Sequence, residues 1–87
     1  MSNRATGKVV WINVLDEETL ITLDIEPENA PLEQAFLLAR TDPNYNARYS
    51  LALSAAVNRL PLTIRTAGEI DPKQYAGIRW MAISWAP

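Results

Sequence analysis

A chain of 87 residues, 48% hydrophobic and 21% charged, has room for one small domain and is too apolar to be disordered. Eight Lys and Arg against ten Asp and Glu give a net charge of −2, without the general basic excess that binds phosphate backbones. With no Cys and no His, the chain lacks disulfides, thiol chemistry, the commonest metal ligand and any Ser-His-Asp arrangement.

The cations are scattered from Arg4 and Lys8 to Arg79 with no run among them, which leaves only a local basic patch open. No apolar run approaches the roughly 18–20 residues that cross a bilayer. The opening MSNRATGK contains no apolar segment, so no signal peptide is expected within it.

In chain order, Lys8–Leu15 is rich in β-branched and aromatic residues and predicts a strand. The polar stretch Asp16–Thr19 predicts a turn, and Leu20–Ile25 a second strand paired with the first as a hairpin. Pro27, Asn29 and Pro31 mark a loop over 26–33, and the short apolar segment Ala35–Ala39 predicts a third strand. A helix is expected over Pro43–Asn58. Asp42 is placed to cap it, Pro43 suits the first position and Pro61 forbids continuation. Asn58 or Arg59 must take the conformation that ends it, and Asn does so more easily. Leu62–Thr66 predicts a fourth strand, 67–74 a loop with Gly68 and Pro72, and Tyr75–Ser84 a closing strand. The order β-β-β-α-β-β, mainly β with one helix and with no internal repeat or linker, is that of a five-stranded Greek-key barrel, the OB-fold, as a single domain over 1–87.

The stretches GKVVWINV, DPNYNARYSLALSAA, LPLTIRTAG and YAGIRWMAIS, in that order, resemble a family of small bacterial proteins similar to the B subunits of subtilase-type cytotoxins and other pentameric toxins. The resemblance spans roughly Gly7 to Ser84. It implies an OB-fold assembled as a ring of five with the helices toward a central channel. It also implies binding of cell-surface glycans, secretion and, in some members, a separate catalytic chain docked on the ring. Many members carry a Cys pair that this chain lacks.

On a helical wheel, Tyr45, Tyr49, Ala52, Leu53 and Ala56 are expected to cover the open end of the barrel. Ala47, Leu51, Ser54, Ala55 and Asn58 then point away from it, a mixture of small and apolar residues suited to the helix of a neighbouring subunit. A monomer with a few exposed apolar residues is the competing reading.

Among the aromatics, Trp80 is expected in the core by alternation with Ile78 and Ala82, while Trp11 is open between core and surface. Trp85 and Tyr75, with the loop residues Asn29, Asp71 and Gln74, are the candidates for a glycan site, because sugar C–H faces pack on aromatic rings beside hydrogen-bonding groups. Carboxylate pairs such as Asp24 and Glu26, or Glu26 and Glu28, read as solvated loop charge, and no catalytic role or cofactor is expected. Three functions remain: a glycan-binding pentamer, an adaptor ring for another protein chain, and a single-stranded nucleic-acid module, the last disfavoured by the acidic pI of about 4.9.

Overall fold

The structure is a computed structural model and describes residues 2–85. It is mainly β: β1 (Arg4–Val14), β2 (Glu18–Leu23), β3 (Ala35–Ala39), β4 (Pro61–Thr66) and β5 (Ala76–Ile83), with α1 (Tyr45–Asn58) between β3 and β4. Two 3-10 turns, Pro27–Asn29 and Leu32–Gln34, occupy the loop between β2 and β3. The strands close in a ring in the order β1-β2-β3-β5-β4. All pairings are antiparallel except the short parallel contact of Phe36 and Leu37 with Ala76 and Gly77.

β1 is long because it serves two neighbours. Arg4–Lys8 pairs with β4, and the remainder pairs with β2. The changeover requires a close approach at Gly7, where an added Cβ would lie 2.7 Å from the Asp24 carbonyl oxygen and 2.8 Å from Ile25 Cγ2. Inside the ring, Ile21, Leu23, Phe36, Leu38, Leu62 and Ile64 are almost fully buried, and Ala52 and Ala55 of α1 are buried against them. The buried Thr19 hydroxyl meets the Tyr45 hydroxyl at 2.7 Å, so α1 satisfies a polar group that the ring encloses.

Two bulges shape the outside of the ring. In β1 the register passes from Val9↔Leu23 to Trp11↔Thr22, leaving Val10 unpaired; in β5 it passes from Thr66↔Ile78 to Arg65↔Trp80, leaving Arg79 unpaired. Each extra residue reverses the inward–outward alternation beyond it. Ile12, Met81 and Ile83 therefore pack on the core, while Trp11 and Trp80 face outward.

Arg48 holds the second bulge. Its guanidinium pairs with Asp42 and donates to the carbonyl oxygens of Ile78 and Arg79 at 3.2 and 2.6 Å. Asp42 also accepts the Asn44 backbone N–H at 2.8 Å just before the first helical turn. The helix starts at Tyr45 rather than Pro43, with Asn44 at the N-cap position. Its end is set by Arg59, which takes the left-handed conformation at φ 55°, while Asn58 stays helical and donates its side-chain amide to the Ser54 carbonyl at 2.8 Å. Pro61 follows directly as the first residue of β4.

Arg48→Ala is expected to destabilise the fold by about 2–3 kcal/mol, since it removes charge-assisted bonds and strips two bulge carbonyls of their partner. Urea unfolding of the variant against wild type measures this, and Arg48→Lys, lacking the planar fork, recovers only part of the loss.

Candidate functional site

Trp80 does not lie where alternation alone puts it. Trp80 is 45% exposed, not in the core, because the bulge at Arg79 separates it from Ile78 in facing. The Arg65 guanidinium lies over its ring, 5.9 Å from the centroid. Trp11 is 61% exposed for the equivalent reason at Val10. Trp85 is exposed beyond the end of β5.

The expected glycan-site residues divide among three places. Asp71, Gln74 and Tyr75 share the loop that enters β5. This loop is docked onto the second 3-10 turn: the Leu32 N–H donates to the Gln74 carbonyl at 3.0 Å, and the Tyr75 hydroxyl donates to Glu33 at 3.0 Å. Asp71 turns the loop by accepting the Lys73 N–H at 2.9 Å. Glu33 and Gln34 both have left-handed backbone, φ 57° and 54°, a strained conformation for non-glycine residues.

Asn29 lies elsewhere, lining an open cleft of about 720 Å³ with Arg4, Thr6, Asp24, Glu26 and Gln34. The carboxylates of the Asp24–Glu26 pair thus share a cleft with a cation. Trp85 stands past the far end of β5, a strand of eight residues that spans about 25 Å. Tyr75 and Trp85 therefore cannot grip one small sugar together, and the five residues do not form a single site.

The helix faces also differ from the wheel. Ala55 is fully buried and Leu51 packs on the core, so neither points away from the ring. Leu53, expected to cover the barrel, is 45% exposed. The helix is rotated by roughly 50° from the expected facing, on a wheel of 100° per residue. The cause is Arg48, which a wheel sends to solvent but which β5 and Asp42 draw inward. The two alanines beside it let the backbone approach the core closely. Ala47, Ser54 and Asn58 are exposed as expected, and they flank an outward stripe that wheel reasoning missed: Leu53 and Val57, the latter 72% exposed. Val57 shares a depression of about 510 Å³ with Val10, Ala56 and Arg59, which joins the helix stripe to the bulge of β1.

Among the described residues no Asp/Glu group is gathered as a metal would require, and no helix is long and apolar enough to cross a membrane. No protein-family model matches the chain, and neither a curated protein nor a solved structure matches it.

Two outcomes follow from these contacts. Gly7→Ala, which crowds the backbone of Asp24, is expected to cost about 1–3 kcal/mol in thermal or urea unfolding. The hydrogen bond to Glu33, followed by desolvation and the charges of Glu33 and Glu18, raises the Tyr75 pKa above the usual 10.0. The protonated phenol is the form favoured by folding, so its contribution is present below pH 10 and lost as pH rises through the folded value. Ultraviolet titration of wild type is expected to show a tyrosine ionisation above pH 10 that Tyr75→Phe lacks.

Proposed function

We propose that this chain is a non-catalytic, OB-fold-type binding module that works as a homo-oligomeric ring, most simply a pentamer, and presents glycan sites on the outside of that ring. Support for the fold reading comes from the ring order β1-β2-β3-β5-β4, with a helix inserted between β3 and β4. Support for the glycan reading comes from the resemblance to toxin B subunits.

The observation that carries the assembly is the apolar surface made by Leu53, Val57 and Val10, with Val14 further along β1. A chain with so thin a core gains most by burying such a stripe against another copy, at roughly 25 cal/mol per Å² of apolar surface. The interface proposed is therefore the Leu53–Val57 face, in place of Leu51 and Ala55.

The glycan site is proposed at Tyr75, Gln74, Asp71 and Glu33, which put one aromatic ring and several hydrogen-bonding groups on two docked loops. Individual sugar contacts are weak, and repetition around a ring raises avidity without new contacts. Catalysis forms no part of the proposal: the chain has no His or Cys, and its carboxylate pairs are read as solvated loop charge.

Sedimentation velocity is expected to show wild type at a multiple of the 9.7 kDa subunit mass. Val57→Glu, which places a charge in each contact, is expected to shift it to monomer. A monomeric wild type overturns the ring, and an unchanged ring in Val57→Glu overturns this choice of face. On a glycan array, Tyr75→Ala is expected to lose the binding that Trp85→Ala keeps. Loss in Trp85→Ala alone moves the site to the other end of β5.

A further inference from the structure

The scattered cations of the sequence are gathered by the fold. On the outer side of the sheet formed by the first half of β1 with β4 and β5, strand register makes a row Arg4–Arg65–Trp80. The next outward row is Thr6–Thr63–Ala82, in which the two threonine hydroxyls meet at 2.9 Å. Lys8, opposite Pro61, ends the face. The outward positions in these rows include three cations and no acid.

Two features set this face apart from ordinary solvated charge. Arg4 and Arg65 are directly opposed across neighbouring strands, about 4.8 Å apart in the sheet, and like charges so placed repel. Neither forms an ion pair among the described residues, where Arg48–Asp42 is the salt bridge present. Asp24 and Glu26 lie near the Arg4 end, in the cleft beside the sheet, and Asp24 also borders Lys8. Beside the opposed arginines, Trp80 offers an exposed indole with Arg65 against it.

We propose that this face binds single-stranded nucleic acid, with Arg4, Arg65 and Lys8 meeting phosphates and Trp80 stacking on a base. The inference does not rest on the glycan site, and of its residues only Lys8 borders the proposed subunit contact. A bound phosphate relieves the Arg4–Arg65 repulsion, and the threonine hydroxyls add neutral hydrogen-bonding groups along the same track. Stacking on Trp80 requires a base free of its partner, which selects a single strand over a duplex. An anionic membrane fits less well. This face carries one large apolar side chain, Trp80, and the exposed Val10 and Val57 border it only at Lys8.

Fluorescence anisotropy with a labelled oligothymidylate of twelve nucleotides tests the proposal on the wild-type protein. Saturable binding is expected, with a log–log salt slope of about −2, which is about 0.7 for each of three phosphates. Trp80→Ala is expected to weaken binding about tenfold, and Lys8→Gln to make the slope shallower by about 0.7. Both side chains are exposed, and circular dichroism melting confirms that each variant is folded. Absence of binding at low salt, or binding unchanged in both variants, overturns the proposal. Equal affinity for heparin or for phosphatidylserine vesicles, with Trp80→Ala indifferent, also overturns it and leaves a face that takes any polyanion.

Discussion

The contact of Arg48 with the bulge of β5 organises much of this molecule. A bulge frees backbone carbonyls that a ladder would otherwise pair, and here a guanidinium takes two of them while a carboxylate holds it in place. Three consequences follow. The helix is rotated so that Ala52 and Ala55 meet the core, Met81 and Ile83 turn inward, and Trp80 turns outward. Asp42, which also stops the chain short of the first helical turn, ties the start of α1 to the same point.

Seen from outside, the domain carries three different surfaces in little space. One is apolar and runs from the helix to the bulge of β1, one is a pair of docked loops around Tyr75 and Glu33, and one is the cationic sheet face beside Trp80. Small size explains why so much apolar area is left outside, since a ring this narrow fills with a few side chains such as Ile21, Phe36 and Ile64. The apolar and cationic surfaces meet on β1, where Lys8 and Val10 line one depression, while the Tyr75 loops lie apart from both.

Element types were legible in the sequence because local composition decides them. The β-branched runs became strands, Ala35–Ala39 among them, and Pro61 stopped the helix within a few residues. The ends of the helix moved for local reasons: Asp42 was occupied by Asn44 and Arg48, and Arg59 rather than Asn58 took the left-handed turn. The facing of side chains was much less legible. One unpaired residue inverts a whole strand beyond it, and nothing in the composition around Val10 or Arg79 marks that residue. A wheel treats arginine as a solvent residue, so it could not see that Arg48 would be drawn inward. Arg4 and Lys8 read as scattered cations because the sequence predicts the first strand only from Lys8, and the meeting of Arg4 with Arg65 depends on the register with β4, which is a long-range property. The expected sugar site failed as a unit for a local reason already present in the sequence, because the closing strand itself sets Tyr75 and Trp85 at opposite ends.

The proposed division of the surface gives the Leu53–Val57 face to assembly and leaves open both Trp80, turned outward by the bulge of β5, and the docked loops at Tyr75. Hydroxyl-radical footprinting of the wild-type protein at high concentration, read by mass spectrometry, tests it in one measurement. The account predicts that Val10, Leu53 and Val57 are protected while Trp80 and Tyr75 are readily oxidised. Protection of Trp80 together with free oxidation of Leu53 and Val57 would contradict it.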